Sequence, residues 1–247
     1  MSGKLILLSG PSCVGKGPLT RALSTFFPEI CRRWRHLIPY NSRSPRPGEL
    51  EGRDYHFRSR GEIESMREKP AFRVFEVRAD LQALDMKEIR QNLAEGDLFF
   101  EGNPFVGTFL LDIAVQEKIE CLAVFLSPLS RKEILFLKSQ YPPVDLSSLI
   151  TDVMRRKLLR RTVRQKGIIS LPDLQDIEKR AGSSYKEMKE AWKFKAVISN
   201  HDGEDSENWN AFYYPVGDAW RTMISFRDLL LGKAGPEIEK WEPDLLP

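Results

Sequence analysis

The residues best placed to do chemistry stand near the start of the chain, in "GPSCVGKGPL", where Gly10, Gly15 and Lys16 follow the spacing G-x-x-x-x-G-K. Glycines at those positions let successive backbone N–H groups turn inward as an anion nest. A following helix N-terminus adds roughly half a positive charge, and Lys16 adds a mobile full one. The natural guest of Gly10, Pro11, Ser12, Cys13, Val14, Gly15, Lys16 and Gly17 is therefore a polyphosphate. In most such loops a hydroxyl after the lysine orders Mg²⁺, yet here Gly17 has no side chain, and Pro18 has neither hydroxyl nor N–H. Pro18 still suits the first turn of a helix, and magnesium has other ligands in the phosphates, water and a strand-end acid such as Glu101. Farther on, "PYNSRSPRPGELEGRDYHF" combines Pro, Gly, Arg and Glu without helical period, so it is either a solvated loop or one ordered by tertiary contacts or a ligand. "DVMRRKLLRRTVRQKG" crowds Arg155, Arg156, Arg160, Arg161 and Arg164 into one helix. There Arg156 and Arg160, and likewise Arg160 and Arg164, share a face, either solvated or functional.

Elements must position these groups. Leu5 to Leu8 is a short apolar run closed by Ser9-Gly10, hence a buried strand, and Leu19, Leu23 and Phe26 or Phe27 have helical spacing after the loop. A polar helix near Ser59 to Glu68, a strand near Phe72 to Val77 and a helix from about Met86 to Ala94 follow. "DLFFEG" is a strand ending at Glu101, "FVGTFLLDIAVQEK" is helical, and "IECLAVFLSP" reads as a central strand. After the helix "SRKEILFLKS", "QYPPVDLSS" breaks the pattern before the arginine helix. A second long helix runs from Pro172, with Gly182 inside it. "FKAVISN" is the last strand, "HDGEDSENWN" an acidic loop, "DAWRTMISFRDLLL" a terminal helix, and the rest a peripheral or mobile tail. Alternating strands and helices imply an α/β fold with a parallel sheet covered by helices on both faces.

Composition narrows the function classes. A net charge of +3 is small against 38 basic and 35 acidic residues, so global charge points to neither nucleic acid nor membrane as a partner. With 41% hydrophobic and 30% charged residues, a 247-residue chain buries a substantial core and fits one domain with insertions. Cys13, Cys31 and Cys121 are odd in number and unspaced for zinc, as expected of reduced thiols in the cytoplasm, with Cys13 a small filler. No run approaches a membrane span, and the apolar core of "MSGKLILLSG" is too short for a signal peptide.

The two motifs together resemble the guanylate kinase family: "SRSPRPGELEGRDYHF" is similar to its signature T-T-R-x-P-R-x-G-E-x-x-G-x-D-Y-x-F, at the family's distance after "GPSxVGKG". The resemblance covers about residues 3 to 126 and returns more weakly at 176 to 200. It implies a three-layer P-loop kinase fold with parallel core sheet, a small acceptor-binding lobe near 36–85 and an arginine-rich lid near 139–172. The core would then span 1–35 and 86–231, with 232–247 as tail. It also implies transfer of the γ-phosphoryl group of ATP, with its Mg²⁺, to a nucleoside monophosphate, GMP by default, and it leaves the oligomeric state open. By position Arg43, Arg46 and Tyr55 would hold the acceptor phosphate, with Glu49 orienting the arginines and Glu101 beside the acceptor. Arginine forks and a tyrosine hydroxyl suit a phosphate, and a carboxylate fixes guanidinium rotamers. Lys16, Arg43, Arg156, Arg160 and Arg180 would act on the transferred group, and Asn200 would lie beside the adenine. The family's base-reading acid falls on Val74, with Glu76 and Asp85 as candidate substitutes. Pro39 and Tyr40 replace small hydroxyl residues, and Glu101 and Asn103 stand near two family aspartates. Two other readings stay open: a binding module for a phosphorylated partner, and a sugar-phosphate kinase on the same fold.

Overall fold

The computed structural model of the chain describes residues 3–46 and 48–246. Positions 1, 2 and 247 of the expected domain limits, and Pro47 within the arginine segment, lie outside the described residues.

A six-stranded sheet carries the core. β1 (Leu5–Ser9) is wholly buried, and α1 (Lys16–Phe26), α2 (Pro28–Cys31) and β2 (Trp34–His36) follow it. The small lobe then contributes β3 (Tyr40–Asn41), β4 (His56–Phe57), α3 (Arg60–Ser65), β5 (Phe72–Val77) and β6 (Asp80–Asp85). The chain returns to the core through α4 (Met86–Glu95), β7 (Asp97–Gly102), α5 (Pro104–Gln116) and β8 (Cys121–Ser127). After α6 (Arg131–Lys138), the long helices α7 (Leu146–Lys166) and α8 (Leu171–Met188) pack against each other. β9 (Ala196–Ser199), α9 (Gly217–Leu230) and β10 (Ile238–Glu239) complete the chain.

The strand order of the large sheet is β10-β9-β8-β1-β7-β2, and all its pairings are parallel except β10 on β9. β1 therefore has a parallel neighbour on each side, which is why its sequence is continuously apolar rather than alternating. The small sheet, ordered β4-β3-β6-β5, is mostly antiparallel and has its own core of Ile63, Met66, Leu81 and Ala83.

Three local expectations change. The hairpin β5–β6 turns through Arg78 (φ 54°) and Ala79 (φ 68°), a left-handed pair that usually calls for Gly or Asn, so "VRAD" gave no turn signal. Helix α7 starts earlier than the arginine run, because Asp145 caps it by accepting from Ser147 and Ser148 N–H. Residues 232–246 are not peripheral: β10 extends the large sheet, and Trp241, Leu245 and Leu246 join the main core. Lys240 donates to the carbonyls of Trp192 and Phe194, so this short segment is held by both apolar and polar contacts that its charged sequence disguised. Among the described residues no helix is long and apolar enough to cross a membrane.

Candidate active site

The loop after β1 is built by backbone geometry. Gly10 (φ 153°) passes so close to β8 that a Cβ there would lie 2.4 Å from the Leu126 carbonyl oxygen. Gly15 (φ 103°) begins α1, and its Cβ would lie 2.5 Å from Asn200 Nδ2. Lys16 Nζ folds back to donate to the carbonyls of Gly10 (2.8 Å) and Pro11 (2.9 Å), which leaves one N–H for a ligand. Burial pulls its pKa down, while Glu204 and Glu101 oppose that shift.

Pro18 does no harm to the helix. The first intrahelical bond runs from Leu19 N–H to Gly15 O (3.0 Å), so Pro18 precedes the ladder and removes no bond. A Cβ at Gly17 would sit in ordinary contact with Arg21 Nη1 (3.4 Å) and Glu101 Oε1 (3.7 Å), so the position lies beside that acid. Thr20, one turn along, donates its hydroxyl to Glu101 Oε2 at 2.7 Å. Burial raises the Glu101 pKa against the lowering effect of Thr20 and Lys16. Cys13 is the expected filler: burial, with Glu204 next, pushes its thiol up to about 12. Asn200 is a brace for the loop. Its Nδ2 donates to Val14 O and Asp202 O (2.7 Å each) and its Oδ1 accepts from Asp202 N–H, so its side chain is fully engaged with backbone rather than presented to an adenine.

The second motif forms the facing wall. Arg43 makes a fork on Glu49, with bonds of 2.6 and 2.7 Å, and its guanidinium lies 5.1 Å from the Tyr55 ring centre. Arg46 donates its backbone N–H to Glu49 (2.8 Å) and its side chain to Asp176 on α8 (3.0 Å). Burial would raise the Glu49 pKa, but Arg43 and the Arg46 N–H hold it below the ordinary carboxylate value. Glu49 thus fixes the Arg43 guanidinium and the Arg46 backbone.

Sheet parity explains the base-reading positions. Val74 pairs with Ala83 and packs in the lobe's own core, on the face turned from the cleft. Glu76 is exposed on that face, and Asp85 caps α4 by accepting from Lys87 and Glu88 N–H, so neither substitutes for the family acid. The cleft side carries Asn41, Val77, Asp80 and Gln82. It also receives Arg78, which binds Glu187 through two bonds of 2.7 Å and was unmarked in the sequence.

The arginine helix delivers one of its five arginines. Its buried stripe is Ile150, Met154 and Leu158, and Arg161, three residues on, continues that face into the cleft. Arg156 and Arg160 do share a face, but an outward one: their side chains are 68% and 71% exposed, near Asp152 and Asp205 respectively. Arg155 pairs with Glu178, and Arg164 lies by Glu207. From α8, Arg180 enters as expected, donating to Ser12 Oγ (3.2 Å) and Asp176 (3.2 Å). Burial, followed by the charges of Arg46 and Arg161, lowers its pKa to about 10, so it stays cationic at neutral pH.

Glu204 is the other residue the sequence did not single out. It lies on the segment between β9 and α9, its N–H donates to Cys13 O (3.3 Å), and its carboxylate meets Arg161 at 3.0 Å. Burial raises its pKa, but Arg161, Lys16 and Arg180 together hold it low, so it is an internal anion among the loop's cations.

Lys16, Arg43, Arg46, Tyr55, Glu101, Arg161 and Arg180 all line one cleft, whose cavity volume is about 180 Å³. Cations from four separate segments crowd there around limited carboxylate, an arrangement suited to holding two phosphate groups. Among the described residues no group of three or more His, Cys, Asp or Glu could hold a metal ion by itself.

The chain is similar to known proteins. The guanylate kinase family model matches residues 2–134. A guanylate kinase of Nitratidesulfovibrio vulgaris is 31% identical over 204 residues, 82% of each chain. One of Wolinella succinogenes is 29% identical over 206 residues, 83% of this chain and 80% of that one. In solved form, the guanylate kinase of Anaplasma phagocytophilum has the same fold, with a TM-score of 0.55 over 94% of this chain and 86% of that one at 15% identity.

Proposed function

The chain belongs to the guanylate kinase family, and from that premise we propose that it transfers the γ-phosphoryl group of MgATP to the phosphate of GMP. The observation that carries this reading is the single cleft shared by the Lys16 loop and the Arg43, Arg46 and Tyr55 wall. Phosphoryl transfer asks a protein for positioning and charge neutralisation more than for acid or base. The loop N–H groups and the remaining Lys16 N–H hold the donor's β- and γ-phosphates. Arg43, aligned by Glu49, and Arg46, aligned by Asp176, neutralise the acceptor phosphate so that its oxygen can approach another anion. Tyr55 adds a hydroxyl donor. Arg161 and Arg180 stabilise the charge that develops on the transferred group, and the α7–α8 hairpin that brings them is the lid.

Magnesium enters as part of the nucleotide and supplies charge neutralisation at its phosphate oxygens. Glu101, steadied by Thr20 and next to Gly17, is the acid that would serve it. An incoming triphosphate competes with the Glu204 carboxylate for Arg161. Cys13, Cys31 and Cys121 are free thiols, in keeping with a cytoplasmic place of action.

The test is ADP release by the purified chain with GMP as acceptor. GMP-dependent ADP formation is expected. Measurable ATP binding with no turnover on GMP would contradict the proposal; turnover on a phosphosugar instead would support the sugar-phosphate reading, and no acceptor at all the binding-module reading.

A further inference from the structure

The acceptor lobe holds two buried amides that phosphate chemistry leaves unused. Asn41 on β3 and Gln82 on β6 are direct cross-strand partners, so their side chains stand together on the cleft face of the small sheet. Asn41 is 1% exposed and Gln82 8%. Asn41 Oδ1 accepts the Arg43 backbone N–H at 3.1 Å, and because only an oxygen can accept there, the orientation of the amide is fixed, with Nδ2 left over as a donor. Neither that Nδ2 nor the Gln82 amide has a hydrogen-bond partner among the described residues. The neighbouring polar groups on the cleft side are engaged: Asp80 with Lys179 at 3.2 Å, Arg78 with Glu187 at 2.7 Å. The unpaired amide atoms face the cleft rather than a sealed interior, and two amides that open side by side into a cavity form a surface for a polar, planar ligand.

We propose that Asn41 and Gln82 select the base of the acceptor, and that they select a 6-oxopurine without regard to its 2-substituent, so that GMP and IMP are treated alike and AMP is rejected. The inference rests on the nucleoside monophosphate reading above. A 6-oxopurine edge presents a carbonyl oxygen beside an N1–H. Asn41 Nδ2 donates to the first and Gln82 Oε1 accepts from the second. Adenine reverses both groups, and Gln82 can turn its amide over to follow, but Asn41 is pinned by Arg43 and would set donor against donor. The 2-amino group of guanine is rewarded by a spare carboxylate, and the position where the family places one holds Val74, facing the lobe core.

The experiment measures kcat/KM for GMP, IMP and AMP, and the affinity for each by titration calorimetry, on the full chain and two variants. GMP and IMP are expected within about threefold of each other, with AMP at least about a hundredfold lower. Asn41→Asp keeps the acceptor for the Arg43 N–H but replaces the donor, so 6-oxopurines are expected to lose at least about tenfold while AMP gains. Gln82→Glu should raise GMP over IMP by about tenfold, because a carboxylate accepts from both N1–H and the 2-amino group. A purely structural role would depress all three nucleotides together, and unchanged ratios in both variants would overturn the inference. So would a wild-type preference for GMP over IMP beyond about thirtyfold, which would assign the 2-amino group to Asp80. Selective 6-oxopurine binding without turnover would uphold it while removing the kinase reading, and binding none of the three would overturn it.

Discussion

The donor and acceptor sides of the cleft are built by different means. On the donor side the ligand groups are backbone N–H groups on a loop wedged between β1 and α1, with Lys16 tied to the loop's own carbonyls and Asn200 bracing it from behind. On the acceptor side they are side chains from separate elements, each aimed by a partner: Arg43 by Glu49, Arg46 by Asp176, Arg78 by Glu187. Backbone ligands survive side-chain replacement, so Gly17 and Pro18 are absorbed without loss of the helix. Side-chain ligands do not, so the acceptor wall is where a substitution changes what is bound.

The largest effect should come from Lys16, the side chain set in the phosphate loop itself. Lys16→Ala is expected to lower kcat by about a thousandfold or more while leaving GMP affinity near wild type, as measured by ADP release and calorimetry. Next is the lid. Arg161→Ala should cost about a hundredfold in kcat, whereas Arg156→Ala and Arg160→Ala should stay within about twofold because both point outward. Equal losses in all three would reassign the outward face to the active site.

Glu49→Gln should raise the KM for GMP about tenfold and leave that for ATP unchanged, since it loosens the Arg43 guanidinium and the Arg46 backbone, both on the acceptor side. The same carboxylate gives a pH signature. Its folded pKa lies below the ordinary 4.5, so the stability it contributes is complete above that value and is lost as pH falls through the lower folded one. Thermal melts of the wild type should therefore fall more steeply than those of Glu49→Gln below about pH 4.5. The smallest effect belongs to Pro18→Thr, which supplies a hydroxyl and an N–H where backbone already does the work. Its kcat/KM for ATP should remain within about threefold of wild type, and a large gain would mean that the loop is impaired as it stands.

The same contrast governs what the sequence disclosed. The phosphate loop was legible because glycine spacing dictates local backbone geometry, whereas the arginine segment read alone as a solvated or ligand-ordered loop and only its family resemblance singled out Arg43, Arg46, Glu49 and Tyr55. The parallel sheet followed from its apolar runs. Which arginine of the α7 helix turns inward depends on where the stripe Ile150, Met154, Leu158 meets the core, and charge spacing alone favoured Arg156 and Arg160. Glu204 and Arg78 act across long sequence separations, the latter from within a hairpin turn that has no glycine or asparagine. Val74 drew attention by its position, but strand parity turns it away from the cleft, and the role we propose for Asn41 and Gln82 falls on two strands the sequence did not announce.

The central claim is that donor and acceptor phosphates meet end to end in one cleft. The most direct measurement is calorimetric titration of the chain with a dinucleotide pentaphosphate joining adenosine to guanosine, compared with ATP and GMP alone. The expected result is one molecule per chain bound at least about a hundredfold more tightly than either mononucleotide. Binding no tighter than ATP would contradict it, by placing the two phosphate sites where a single chain of phosphates cannot bridge them.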